Sequence, residues 1–478
     1  MLLDIRQIVG AVLLFADGLN KIIIESDQFY KLEKNVHELC QKVCSQIFTW
    51  VLEEIDSRLM NKRDSSSWRV VGFRTKTAIS TFGEFHFKRR LYRNKKTGEA
   101  KFFLDELLGW PERARITPRL REMAVKLSTD LPFARAAEII NHLAPGLSTM
   151  TVWQATREVG ESLQQEGKEK RAAIFEDGEA PDGKEVASQL CIEADGVMIR
   201  LQKAKEKRGE IKHIVAYEGK EQTNRECVKL KNKLVLSSLS DGEAAWEESF
   251  AAVGGKWDLS RVRRIFIGGD GANWPKQGVN YFPGAEYRLD PYHLSKHLTE
   301  ALWHDGETFR EVTQAIFRGN WEETERILTK AAQKNRGDRK KRINRLLRYL
   351  KENWEGIVTS PGAKRLGTIE GQIQHNLARR MKRLGAKWTI SGGDRMARIL
   401  AVKANGRLGN YVLCWPIHRK LREIAQSEPI AKQKAKMEDM EKWLRASVPA
   451  LKGPFAGRPW IKYVLREITR TRSSALGY

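Results

Sequence analysis

The apolar positions of this chain change period along its length, and each change marks a region. Over residues 28–60, Leu32, Val36, Leu39, Val43, Ile47, Ile55 and Leu59 recur every three, four or eight residues, the stripe of one long amphipathic helix. Such a stripe packs on its own domain or forms the seam of a dimer. After a polar break at 62–67 the period falls to two. Thr75, Thr77, Ile79 and Thr81 alternate, then Phe85, Phe87, Arg89 and Leu91, with Gly83 at one turn and 94–98 at the next. This predicts a small antiparallel meander over 70–104. Residues 117–160 return to helical spacing. Phe133 to Leu143 reads as one helix, Ala144-Pro145-Gly146 as a turn, and Ser148 as the N-cap of a second helix from Thr149 to Gly160, a helix-turn-helix rhythm. The charged, glycine-containing stretch 161–188 reads as a linker.

From residue 189 the pattern becomes α/β. Apolar runs predict strands at 189–201, 211–222 and 233–239, a helix at 244–253, a strand at 261–269, another at 286–289, and a helix opened by Asp290-Pro291. Three strands, a helix, a strand, a short helix and a strand is the order of a ribonuclease-H-like mixed sheet. The fold class expected is therefore multidomain, α+β and α/β. Its parts are an N-terminal helical region (1–61), a meander and helix-turn-helix region (62–160), the linker (161–188), the first part of the core (189–293), a helical insertion (294–366), a core completion (367–418) and a basic helical tail (419–478). The insertion sets Trp303, Phe309, Ile316, Phe317, Trp321, Ile327, Leu346, Leu347, Leu350 and Trp354 at helical spacings, as a core of its own would need. The tail shows helical stretches at 431–446 and 460–471.

Charge sharpens this picture. The 478 residues carry 85 Lys and Arg against 60 Asp and Glu, a net charge of +25 that calls for a polyanionic partner, above all nucleic acid. The excess is local. Residues 68–96 hold 9 basic and 1 acidic residue, residues 331–385 hold 15 and 4, and residues 419–478 hold 14 and 6. No apolar run approaches the roughly 20 residues that span a bilayer. The stretch Ile8 to Phe15 lacks the flanks of a signal peptide, so the cytoplasm, at the nucleoid, is the expected compartment and no membrane partner is expected. Five cysteines without a CxxC pair argue against a disulfide framework or a zinc ribbon, and Cys40 and Cys44 are expected in a core. No GxGxxG, P-loop or Ser-His-Asp grouping points to a small-molecule enzyme.

The candidate chemistry lies in carboxylates. In a ribonuclease-H-like sheet the first and fourth strands are neighbours. This brings Asp195, in Glu193-Ala194-Asp195-Gly196, beside Asp270, in Gly269-Asp270-Gly271-Ala272. Two close carboxylates repel unless a cation bridges them, and Mg²⁺ accepts one or two carboxylates plus water and phosphate oxygens. Glu370, after Thr368 in the first turn of a helix with the apolar stripe Ile369, Ile373, Leu377 and Leu384, is the candidate third acid. Singly, each has a structural reading as a turn or first-turn acid; the joint placement in this strand order carries the argument.

These motifs, with Asp290-Pro291-Tyr292-His293, the stretch Gly367 to Lys382 and Trp388, resemble the acidic-triad (DDE) transposases of bacterial insertion sequences, and among them the ISLre-type family, which shares features with Mutator-like transposases. That class carries a Cys or Asp, two residues and a His after the fifth strand, as Asp290 and His293 do here, and a helical insertion before the third acid. The resemblance implies metal-dependent cleavage of double-stranded DNA at element ends and strand transfer to a target. It implies Asp195, Asp270 and Glu370 as ligands of Mg²⁺ or Mn²⁺, two ions in all, His293 in a supporting catalytic role, and a homo-oligomer assembled on DNA. DNA contacts are expected from Lys88, Arg89 and Arg90 in the meander, Thr151, Gln154 and Arg157 on the second helix of the helix-turn-helix, Arg339, Lys340 and Arg342 in the insertion, and Arg379, Arg380 and Arg383 beyond the third acid. The alternatives are a ribonuclease-H-like endonuclease without strand transfer and a non-catalytic DNA-binding remnant of a mobile element.

Overall fold

The computed structural model describes residues 5–412 apart from 112–113, 225–226, 359–365 and 384, together with Arg458. The expected helices of the tail lie outside the described residues. At the N-terminal end, α1 (Ile5–Glu25) and α2 (Phe29–Lys62) form a hairpin. It leans on a meander of β1 (Trp68–Ser80), β2 (Gly83–Asn94) and β3 (Ala100–Lys101), paired in that order. The period-two pattern lays Phe85 and Phe87 inward against Leu52 and Phe48 of α2. Only the C-terminal half of α2 is covered this way, and Cys40 and Cys44 stand exposed on the uncovered half rather than in a core.

Four helices follow: α3 (Phe103–Leu108), α4 (Pro118–Ser128), α5 (Phe133–Leu143) and α6 (Thr149–Phe175). Ser148 caps α6 as its sequence position requires, its hydroxyl accepting from the Thr151 N–H at 3.1 Å. The helix does not stop at Gly160. It runs through half of the expected linker, because the buried stripe Val152, Ala155, Val159 continues to Leu163.

The central sheet contains β4 (Gln189–Arg200), β5 (Arg208–Tyr217), β8 (Leu234–Ser238), β9 (Arg264–Gly269) and β10 (Ala285–Leu289), in the order β8-β5-β4-β9-β10. β4, β9 and β10 are parallel, and β5 is antiparallel to both β4 and β8. This is the ribonuclease-H-like order, with the first strand beside the fourth. Between β5 and β8 the chain makes an extra hairpin, β6 (Gly219–Asn224) and β7 (Cys227–Lys231). The single strand expected at 211–222 is thus broken at Glu218, whose N–H bonds the Lys231 carbonyl.

Alternate residues of β4 feed opposite cores. Ile192 and Ala194 pack with Trp246 and Val253 of α7 (Gly242–Gly254) and with Phe282, beyond the short α8 (Asn273–Lys276). Val197 and Ile199 pack on the other side. There they meet α13 (Ile369–Ile373), a π-helical turn (Gln374–Ala378), α14 (Arg379–Met381) and α15 (Ile390–Ala404). The insertion comprises α9 (Pro291–Leu302), α10 (Gly306–Phe317), α11 (Trp321–Lys334) and α12 (Gly337–Ile357) around Leu298, Val312, Leu328 and Leu346. Trp303 and Phe317 lie outside that core, 67% and 88% exposed. The short α16 (Leu408–Val412) closes on α4 and α6, adding Leu408 and Val412 to their core.

Candidate active site

The site sits at the middle of β4, just past the ends of β9 and β10, where α13 begins. Both faces of β4 are covered, so its polar side chains are held in place by packing. Asp195 is 7% exposed, and its Oδ1 accepts the Gly196 N–H at 2.6 Å. Asp270 follows β9, the strand beside β4. Its turn is clamped from two sides: Tyr287 of β10 accepts the Gly271 N–H at 3.0 Å, and Tyr349 of α12 donates to the Asp270 carbonyl at 2.8 Å. Gly271 has φ +96°, a conformation that suits glycine, and a Cβ there would lie 2.8 Å from Asn353.

Glu370 reaches the site because another acid holds its helix. Glu193, two residues before Asp195 and 1% exposed, accepts the backbone N–H groups of Gly367, Thr368 and Ile369 at 3.0, 2.8 and 3.2 Å. It also accepts the Thr368 hydroxyl at 2.6 Å and a hydrogen bond from Tyr217. These are the orphan donors of a helix start, and a carboxylate there is favoured by the dipole. Gly367, at φ +102°, lets the chain turn into this cradle.

His293 is oriented in the same manner. Asp290, 1% exposed, caps α9, donates its N–H to the Gly269 carbonyl at 2.8 Å, and binds His293 Nδ1 through Oδ2 at 2.7 Å. That leaves Nε2 as the ring nitrogen for the site. The hydrogen bond to Asp290 raises the His293 pKa, with the charges of Asp195 and Asp270 adding to it against burial.

Ligand atoms of Asp195, His293 and Glu370 all lie within 4.8 Å of one another. The donor set of two carboxylates and one imidazole suits a divalent cation. The expected trio of Asp195, Asp270 and Glu370 is therefore altered: His293 is inside the cluster and Asp270 stands outside it, its Oδ1 taken up by the Ala272 N–H at 2.9 Å. Asp270 is near enough to act through its charge. Burial pushes the Asp195 carboxyl up to about 6; Asp270 and Glu370 repel in the same direction, while the Gly196 N–H and His293 oppose.

The expected DNA contacts separate into two groups. Lys88, Gln154, Arg339, Lys340, Arg342, Arg379 and Arg383 are exposed, and Arg157 is half-exposed over the Trp153 ring. Thr151 is half-exposed, its hydroxyl engaged by the Ser148 cap at 2.9 Å. Arg89 and Arg90 are used inside the protein, against expectation. Arg89 follows Phe85 and Phe87 onto the inner face, pairs with Asp105 and lies over Phe102; Arg90 reaches Asp56 of α2 at 2.6 Å. Arg380 is likewise buried, its Nε donating to the Ser128 carbonyl at 2.7 Å between the rings of Phe133 and Trp388. Sequence reasoning missed the orienting roles of Glu193 and Asp290. The signals available were an acid at i−2, on the same strand face as Asp195, and an acid one helical turn before His293.

Relatives match most of the chain in sequence. UPF0236 protein TTE2489 of Caldanaerobacter subterraneus subsp. tengcongensis is 27% identical over 401 residues, covering 82% of this chain and 81% of its own. A second relative from that bacterium, 27% identical over 384 residues (79% of this chain, 78% of its own), bears one protein name spanning eleven locus designations, from TTE0033 to TTE2212. A Streptococcus gallolyticus relative, the UPF0236 protein in the vanSb 3′ region, is 27% identical over 405 residues, 81% of this chain and 86% of its own. The pattern of the uncharacterised protein family UPF0236 matches residues 24–413, from α1 to just beyond α16, and the chain belongs to that family.

Proposed function

We propose that this protein is a DNA transposase of an insertion sequence that cleaves phosphodiesters at element ends and transfers the strand to target DNA. The observation that carries the reading is the convergence of Asp195, His293 and Glu370 beside the ends of β9 and β10 in a ribonuclease-H-like sheet. Asp195 and Glu370, with Nε2 of His293, would hold a Mg²⁺ or Mn²⁺ ion, and Asp270 on the neighbouring strand is the carboxylate left for a second. Bound there, such ions supply Lewis-acid polarisation of a phosphodiester and a lowered pKa for an attacking water or 3′-hydroxyl. The chain's own residues do the rest. Glu193 fixes the start of the helix that presents Glu370. Asp290 engages Nδ1 of His293 and keeps the ring oriented, so that Nε2 is the nitrogen presented beside the carboxylates. The exposed cations of β2, α12 and α14 offer phosphate contacts to duplex DNA. One relative's name joins eleven designations within one bacterium, as repeated copying of a gene would produce.

The test uses the full chain and labelled DNA carrying the sequences that flank its gene. With Mn²⁺ or Mg²⁺, cleaved ends bearing 3′-hydroxyls and products joined to a second DNA are expected, and Asp195→Asn abolishes both. Cleavage without any joined product makes the protein an endonuclease. Specific binding without cleavage makes it a non-catalytic DNA-binding protein. Cleavage and transfer that survive Asp195→Asn overturn the assigned site.

A further inference from the structure

We propose that a pocket between α6 and the segment 379–396 takes a single unpaired nucleotide of a DNA strand, its phosphate on Arg380 and its base against an aromatic wall. This rests on the reading of the protein as DNA-binding, and it goes beyond it by assigning a site away from the carboxylates.

The pocket has a volume of about 430 Å³. That lies within the roughly 300–1,000 Å³ of sites that enclose one small molecule, and it is too small for a duplex. Its apolar surface comes from Phe133, Trp153, Trp388 and Met396, while Arg157, Arg379, Arg380, Arg383, Lys387 and Arg395 bring positive charge. Asp130, the one acid among the described residues of its lining, is already held by Lys403 at 2.6 Å.

Arg380 is the residue that asks for a ligand. Among the described residues, four arginines are buried: Arg89, Arg121, Arg288 and Arg380. The first three pair with Asp105, Glu158 and Glu286. Arg380, 8% exposed, pairs with no carboxylate among the described residues, and its Nε is spent on the Ser128 carbonyl. Its terminal nitrogens have no hydrogen-bond acceptor there. The opposing charge that acts on it is Asp130, which Lys403 already engages, and drawing a guanidinium largely out of water without an anion of its own is costly. The rings of Phe133 and Trp388, 5.5 and 4.7 Å from its centre, offset part of that cost. An oxyanion would offset the rest, and a guanidinium suits phosphate geometry. Exposed Arg379, Arg383 and Lys387 line the same pocket, again without a carboxylate partner among the described residues.

A free inorganic anion would have no use for the aromatic surface, and an apolar compound none for the cations. A nucleotide uses both: bases stack on aromatic side chains whatever their sequence. Trp153, 38% exposed with Arg157 at 5.2 Å from its ring, is the accessible aromatic. The location also fits a strand. Glu370 and Arg380 belong to one helical stretch, ten residues apart, roughly 15 Å at the helical rise. At the spacing of a stacked strand this is about four phosphates. The opposite wall is α6, the second helix of the helix-turn-helix.

The full-length protein is titrated by fluorescence anisotropy, in EDTA so that no cleavage occurs, with two labelled DNAs of one sequence. One is a continuous duplex and the other carries a single unpaired nucleotide. The wild type is expected to bind the second about tenfold more tightly, near the low end of what base stacking supplies. Trp153→Ala and Arg380→Gln are expected to erase that preference and leave the duplex Kd unchanged. Trp153→Ala alters an exposed side chain, so it answers the question even if Arg380→Gln fails to fold. A wild type without preference overturns the proposal, as does a variant that weakens both DNAs equally. Displacement of the unpaired-nucleotide DNA by an equal concentration of a mononucleotide also overturns it, making the pocket a free-nucleotide site. Failure of the cleavage assay leaves this binding result legible, since no divalent ion is present.

Discussion

Replacing Glu193 tests whether a buried acid outside the Asp195–His293–Glu370 cluster holds the site together. Glu193 accepts three backbone N–H groups and the Thr368 hydroxyl between 2.6 and 3.2 Å, and Tyr217 adds a fifth donor. Hydrogen bonds to a charged group contribute about 1.5–3 kcal/mol each, and every buried donor left without an acceptor costs about 1–3 kcal/mol. Glu193→Ala strands several donors at once and loses the charge at the helix start, so a loss of about 4–6 kcal/mol is expected even with some water entry. That approaches the whole stability of an ordinary domain. Glu193→Gln is therefore the more informative change. It keeps one acceptor oxygen but turns an NH₂ toward other donors, for an expected loss of about 2–4 kcal/mol in urea unfolding. The second readout is Mn²⁺ binding by calorimetry. Orienting partners of ligands are worth about 10–100-fold in metal affinity, and Glu370 is one residue beyond the three N–H groups that Glu193 holds. Thr389→Ala, which removes the cap of α15, is the control: about 1 kcal/mol less stability with Mn²⁺ affinity intact. Wild-type stability together with wild-type Mn²⁺ affinity in Glu193→Gln would refute the assignment.

Three further outcomes follow from the packing and the charges. The Asp195 carboxyl, raised from 3.8 to about 6, favours the folded state when protonated, so in EDTA that contribution is present below pH 4 and lost as pH rises through 6; Asp195→Asn should gain about 3 kcal/mol over wild type at pH 7 and lose Mn²⁺ stabilisation, and a variant no more stable than wild type sinks the argument. His213, fully buried with Nδ1 on Ser237 at 2.7 Å, is held neutral by burial with its pKa down to about 3. The unfolded chain protonates first, so stability falls by about 1.4 kcal/mol per pH unit below 6.5. The Asp195 slope has the opposite sign, so the test is the difference between wild type and His213→Asn at pH 7 and pH 5, which should narrow by about 2 kcal/mol. In Gly160→Ala, the new Cβ would meet Arg395 Cβ at 2.5 Å across the α6–α15 contact; the helix-propensity gain of up to about 1 kcal/mol is outweighed by overpacking of about 1–3 kcal/mol, and a stabilised variant in thermal unfolding would count against that packing.

The strand order and the placing of Asp195 and Asp270 were legible because strand length and apolar runs are local properties, and the order of elements restricts the sheet to few topologies. The alternation Phe85, Phe87, Arg89 already put Arg89 on the inner face, yet local charge density drew it to the surface. Composition counts arginines without telling those spent on Asp105 or Asp56 from those in solvent. The α6 boundary was misread because Gly160 and Gly167 look like breakers, whereas both lie where another element comes close: a Cβ on Gly167 would stand 3.0 Å from the Arg398 side chain. Such contacts join residues more than 200 positions apart and leave no periodic mark. The same holds for Arg380, whose partner carbonyl at Ser128 lies 252 residues away.

The arrangement of the acids explains how a long insertion can lie within the candidate site without disturbing it. Asp195 and Glu370 belong to the cluster, while Glu193 and Asp290 are more deeply buried and each holds another element in place. Glu193 ties β4 to the start of α13 across 174 to 176 residues of chain. Asp290 ties the end of β10 to the end of β9 through the Gly269 carbonyl and passes its second oxygen to His293. The two meet at Gly367: a Cβ there would lie 3.1 Å from Asp290 Oδ1, while its N–H is bound by Glu193. Helix α13 is thus fixed from the sheet side, and α9 to α12 form a core of their own. That core touches the site through His293 at the start of α9, Tyr349 on the Asp270 carbonyl and Asn353 beside Gly271. Changes in the insertion should therefore act first on His293 and the Asp270 turn, and only weakly on Glu370, which Glu193 holds independently.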